Sequence, residues 1–160
     1  MTPDNRSRGL PIGDQELVDA AVAFEVDRRR DIASLAAARL SGFMNLVGQR
    51  ALKDATVCKL LGIDEGQLFQ LFTTGFDLSQ AQVEVIDGLY AVGAAAMHES
   101  HKNPKDARAR LNRRIPDLIK DPNDPSSPER SALEAIVQGD LEQVLSVMDR
   151  ELGDFDYNNR

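Results

Sequence analysis

The residues best suited to chemistry are few. His98 and His101 stand three apart, a spacing that metal pairs use. Two ligands make no metal site, however, and Glu99 points elsewhere on a helix. They read as surface histidines near a helix C-terminus, where positive charge favours the dipole. Cys58, the single cysteine, lies in the apolar run Val57-Cys58-Lys59-Leu60-Leu61 and reads as a small core residue, not a nucleophile. Glu84 and Asp87 read as exposed helix charges. There is no glycine-rich phosphate loop and no serine in a nucleophile elbow. The sequence predicts no catalytic residue, no metal site and no cofactor. It does not read as an enzyme.

Binding chemistry remains. Residues 54–72 have the layout of a helix-turn-helix: small Cys58 where two helices approach, Gly62 four places later in the tight turn, then Ile63. Leu68 and Leu71 pack the second helix back, and Asp64 with Gln67 has capping-box spacing. The face this helix would offer to DNA carries Gln67, Gln70 and Thr73, beside Glu65, Gly66 and Thr74. Glutamine can read adenine. No Arg or Lys on the helix neutralises phosphate, and phosphate contacts dominate DNA affinity. A scaffold role is favoured over duplex reading. If DNA is bound, Arg108, Arg113 and Arg114 are the phosphate clamp, and binding by the chain alone is weak.

Those three arginines belong to a compact basic island. Residues 102–120 carry net charge +5, between −5 over residues 1–101 and −7 over residues 121–160. A solvated helix face and a phosphate- or partner-binding patch are both compatible with that pattern.

The elements that position these groups are helical. Residues 1–13, rich in Pro and Gly, read as a flexible arm. A helical region follows over 14–101. Its first helix starts near Asp14, with Leu17, Ala21, Phe24, Ile32, Leu35, Ala36 and Leu40 at helical spacing. Arg28-Arg29-Arg30 lies on it or at a joint within it, and a shorter helix near Phe43–Val47 comes next. Ser79 and Gln82 open a long helix whose row Val85, Leu89, Val92 and Ala96 is widened by Ile86, Tyr90 and Met97. Gly93 leaves room there for a neighbouring helix. Asn103-Pro104 starts another helix. Four prolines make residues 116–128 a loop. A short helix over 131–137 stops at Gly139, and Asp140 with Gln143 caps the last one. No segment alternates long enough for a credible strand. The fold class expected is all-α, with Leu60, Ile63, Leu68, Leu71, Ile86, Leu89, Val92, Leu133 and Val144 buried.

Composition agrees with a folded protein. The 160 residues are 42% hydrophobic and 28% charged, enough for a core without staples. No apolar run approaches a membrane span, and Met1–Leu10 lacks a signal-peptide stretch. One cysteine fits a reducing, cytoplasmic setting. The net charge of −7 repels nucleic acid at long range.

The order of elements, with the segment Ser131-Ala132-Leu133-Glu134-Ala135-Ile136-Val137-Gln138-Gly139-Asp140-Leu141-Glu142-Gln143-Val144-Leu145, resembles the Xre/MbcA/ParS antitoxins over residues 50–152. Their toxin-binding domain carries a helix-Gly-helix corner of this type. Three features depart from the family. Ala132 stands where it has Pro, Leu111 lies nearest the place of its usual Trp, and the loop 116–129 is longer. The resemblance implies a C-terminal toxin-binding region over 102–152. It also implies a cognate toxin partner, commonly a RES-domain enzyme that degrades NAD, inhibited by occlusion of its active site, and a homo-oligomer. The implied partner-binding residues are Leu133, Ile136, Gly139, Leu141, Val144 and Leu145. Phe155 and Tyr157 in the acidic tail 153–160 are possible anchors. The other expectations are a helix-turn-helix transcriptional regulator and a helical interaction or accessory protein without a toxin.

Overall fold

The computed structural model describes residues 14–151, and of residues 26, 27 and 149–151 the backbone alone. The arm at 1–13 and the tail with Phe155 and Tyr157 lie outside the described residues. The fold is all-α. Helix α1 spans Asp14–Val47, α2 Asp54–Leu61, α3 Glu65–Thr73, α4 Gln80–Glu99, α5 Pro104–Asn112, α6 Ala132–Val137 and α7 Leu141–Glu151.

The separate helix expected at Phe43–Val47 is instead the last part of α1. Nothing breaks the chain there. No proline intervenes, the Ala-rich stretch 33–38 favours helix, and Glu25 accepts from both Arg28 and Arg29 one turn on. The C-terminal half of α1 buries Ala33, Ala36, Leu40, Phe43 and Val47. In its N-terminal half Leu17 and Phe24, which stand at helical spacing, are exposed, as are Ile32 and Leu35 further along, and Arg29 reaches Asp77 at 3.5 Å. Apolar spacing specifies a stripe, and only the rest of the fold determines where the body ends.

Helix α4 is the central element, packed against α1, α2, α5 and α7. It buries Ile86, Leu89, Val92, Ala95 and Ala96. Two glycines permit close approach: a Cβ at Gly93 would lie 3.1 Å from Phe43 of α1, and one at Gly88 would lie 3.1 Å from Leu141 of α7. Tyr90 does not widen the buried row. It is exposed, under Arg39 at 5.3 Å, whose guanidinium also donates to Asp87 at 2.7 Å.

Helix α4 ends at Glu99, so His98 and His101 share no helix face. His101 and Lys102 take left-handed φ of 51° and 65°, and the Lys102 N–H donates back to the Met97 carbonyl at 2.8 Å. Asn103 caps α5 by accepting from Lys105 and Asp106.

The segment expected as plain loop is pinned at both ends. Strand β1, Arg114–Ile115, pairs antiparallel with β2, Arg130–Ser131, Arg114 opposite Ser131. A 3-10 turn at Pro116–Leu118 drives Leu118 fully into the core. Two-residue strands carry no alternation to detect, so the sequence offers no signal for them. Of the residues expected in the core, Leu68, Leu71, Ile86, Leu89, Val92, Leu133 and Val144 are buried, while Leu60 and Ile63 are only half-buried.

Candidate partner-binding site

The corner between α6 and α7 is built locally at each end. Ser131 and Glu134 form a capping box at the start of α6. At its end, Gly139 takes φ +92°, and the Asp140 N–H closes on the Ala135 carbonyl at 2.9 Å. This left-handed exit is the helix-stopping geometry that glycine adopts without penalty.

A residue that sequence reasoning passed over holds the corner rigid. Arg130 is only 3% exposed. Its Nε donates to the Leu118 carbonyl at 2.9 Å and Nη1 to Gln138 Oε1 at 2.8 Å and Asp140 Oδ2 at 2.7 Å. Nη2 donates to Gln143 Oε1 at 3.0 Å. One guanidinium thus ties the 3-10 turn, the end of α6 and the start of α7. The expected pairing of Asp140 with Gln143 as a capping box gives way to this. Both side chains converge on Arg130, and Gln143 also reaches the Ile119 carbonyl at 3.3 Å. A lone basic residue amid acidic neighbours gave no sequence signal beyond the rarity of buried arginine without partners.

Leu133, Ile136 and Val144 do not face solvent. They pack the corner together. Leu141 and Leu145 are half-buried against Gly88. The exposed tip is instead Val137, Gln138 and Gly139. Among these implied binding residues, Gly139 alone is exposed; the others shape the surface from beneath.

The unit α2–α3 turns through Gly62 at φ 67°, with the Ile63 N–H donating to the Cys58 carbonyl. Asp64 and Gln67 form a capping box, so the Gln67 side chain is engaged by the backbone. Gln70 and Thr73 are exposed, and the Thr73 hydroxyl donates to the Phe69 carbonyl. Phe69, absent from the sequence-based list of surface residues, is 70% exposed, and Phe72 lies beside it at 40%. Burial pushes the Cys58 thiol up, aided by Glu65, Asp54 and Asp64. That is the state of an inert core cysteine.

The basic island does not present a uniform clamp. Arg108 donates to the Leu46 carbonyl at 2.8 Å, fastening α5 to α1. Arg114 lies 3.4 Å from Glu134. Arg113 ends α5 and is exposed. Among the described residues, no group of His, Cys, Asp and Glu is placed to hold a metal ion, and no helix is long and apolar enough to cross a membrane.

The class these features define is an all-α protein with a rigid helix-Gly-helix corner and an aromatic helix surface. No protein-family model, curated protein or solved structure matches the chain.

Proposed function

We propose that the chain is an antitoxin-like binding protein that neutralises a cognate toxin by covering its active site, without catalysing a reaction itself. The observation that carries this reading is the Arg130-clamped corner. Its four hydrogen bonds fix α6 against α7 before any partner arrives. A preordered surface loses little conformational entropy on binding, which suits an inhibitor that acts by shape. The aromatic pair Phe69 and Phe72 supports a protein partner too, since exposed aromatics are typical interface anchors.

The resemblance directs the choice of partner to a RES-domain, NAD-degrading toxin. The test is co-expression with a RES-domain toxin, scored by growth. The intact chain should rescue growth and Gly139→Val should rescue poorly, with residues 58–72 still folded. Full rescue by a chain ending at Asp121 would place the surface elsewhere and remove the reason for naming the corner.

The alternative is a helix-turn-helix regulator, favoured by one observation, the left-handed Gly62 turn between α2 and α3. Against it stand Glu65 at the tip of α3, the absence of Arg or Lys on that helix, and an overall charge of −7. Electrostatic attraction to phosphate supplies most DNA affinity, so binding by the purified protein should be weak. Sequence-selective, nanomolar binding in fluorescence anisotropy at physiological salt would promote the regulator. A rescue failure with any toxin, together with weak DNA binding, would favour the accessory protein.

A further inference from the structure

We infer that the groove between α1 and α4 is a binding site for a medium-chain fatty acid, with the carboxylate held by Lys102 and the alkyl chain laid toward Tyr90. Among the described residues, none from the α6–α7 corner lines this groove, so the inference holds or fails separately from the toxin reading.

The groove follows from how the two helices lie. Arg39 meets Asp87 and Tyr90, and further along α1 Phe43 and Leu46 lie beside Gly93. The helices therefore run side by side in one direction, and the groove follows their seam from Tyr90 to His98. That stretch of helix is about 12 Å long, and the space amounts to about 710 Å³. Small-molecule sites measure about 300–1,000 Å³ and combine an apolar lining with a few convergent polar groups. Here the apolar wall is Phe43, Leu46, Ala94 and Met97.

Two glycines also line the groove, and they differ in kind. Gly93 is required by packing, since a Cβ there would lie 3.1 Å from Phe43. Gly42 is not, because a Cβ there would meet nothing within 4 Å. Glycine weakens a helix interior relative to alanine, and no contact within the chain demands it at this position. What Gly42 preserves is open space in the groove.

The chemistry of one end selects the occupant. The chain has 26 acidic against 19 basic residues. Yet among the described residues no Asp or Glu lines the groove, whereas Lys102 and His98 do. Lys102 is firmly placed, with φ 65° and its N–H donating to the Met97 carbonyl at 2.8 Å. His101 before it is left-handed as well, and such backbone in non-glycine residues gathers at ligand sites. Among the described residues no carboxylate pairs with Lys102. The first N–H groups of α5 offer an anion little, because Asn103 Oδ1 already accepts from Lys105 and Asp106. One ammonium without a cluster of backbone donors suits a singly charged carboxylate, not a polyphosphate. At the far end the Tyr90 ring lies under Arg39, whose charge Asp87 already balances at 2.7 Å. An apolar chain ending there leaves no charge unpaired.

The test uses the full chain and decanoate, well below its micellar range. Isothermal titration calorimetry should show saturable binding of one decanoate, with a dissociation constant on the order of 10–100 µM for a ligand of this size. Lys102→Met should weaken decanoate roughly 10-fold and leave decanol, which has the same chain without the charge, unchanged. Gly42→Leu should abolish binding of both, with a melting temperature no lower than that of the unmodified chain. Vesicles of phosphatidylglycerol separate a free fatty acid from a lipid surface, and the chain should not sediment with them. No saturable decanoate binding, equal binding by Gly42→Leu, or an equal loss of decanol in Lys102→Met would each overturn the proposal. So would vesicle binding that Gly42→Leu removes, because the groove would then be a membrane contact.

Discussion

Arg130 and Asp140 face each other across the α6–α7 corner, Nη1 to Oδ2 at 2.7 Å, with the arginine buried and the aspartate 42% exposed. The asymmetry assigns the work. Asp140 keeps part of its hydration, so the pair as such contributes modestly. Arg130 lies in the interior, and three further acceptors depend on it, among them the carbonyl of Leu118 beside a fully buried side chain.

Arg130→Met should therefore destabilise the chain by about 2–4 kcal/mol, because it leaves the buried Leu118 carbonyl without its donor and unties the part-buried acceptors on α6 and α7. Asp140→Asn keeps an oxygen for the guanidinium and should lose about 1 kcal/mol or less. Urea denaturation of the two variants gives the ranking. Equal losses would show that the ion pair, not the carbonyl and amide contacts, holds the corner.

Gly62 and Gly139 test backbone strain without steric confusion, since a Cβ at either position meets nothing within 4 Å. Valine at either site should lose about 1–2 kcal/mol through the left-handed backbone alone. Gly62→Asn should lose clearly less, because asparagine tolerates that region. Thermal melts of the three variants separate the cases. A Gly62→Asn as damaging as Gly62→Val would point to something other than φ.

Gly88 carries a packing prediction. A valine there would press on Leu141 and Leu145, whose carbons lie 3.1 Å and 3.3 Å from the Cβ position. Overpacking of this kind is expected to destabilise by about 1–3 kcal/mol and to displace α7 from α4. Gly88→Ala should be much milder, as its gain in helix propensity of about 1 kcal/mol offsets the contact with flexible leucine ends. Denaturant midpoints and protection of the α7 amides against hydrogen exchange measure both effects.

The pH dependence has a definite sign. The Ser131 N–H, with Arg114 beyond it, holds the Glu134 carboxyl below its ordinary 4.5. Arg28 does the same for Glu25, and Ser126 for Asp124. For a lowered carboxylate the unfolded chain takes up protons first, so the stabilisation is complete above the ordinary carboxylate range. It is lost as pH falls through the lowered values. Stability should thus decline on acidification below about pH 5, and Glu134→Gln should flatten part of that decline. Denaturant midpoints measured across the acid range give the slope, and an unchanged slope in Glu134→Gln would remove this residue from the account.

What the sequence determined by itself was the local chemistry of helix ends. The pairs Asp64/Gln67 and Ser79/Gln82, the Asn103 cap and the left-handed glycines 62 and 139 each depend on residues within about one turn, so three or four letters suffice to read them. The all-α class follows for the same reason, from periodicity repeated along the chain. Tertiary structure alone decided which apolar stripes find a partner. Leu17 and Phe24 recur at helical spacing as Leu40 and Phe43 do, yet the first pair is exposed and the second buried. It also decided that Arg130 would be interior. Its partners come from four separate places, residues 118, 138, 140 and 143. Gln143 was drawn from the capping role its spacing suggested for the same reason. Burial and long-range hydrogen bonding depend on what the rest of the chain brings alongside, and no window of neighbouring residues contains that information.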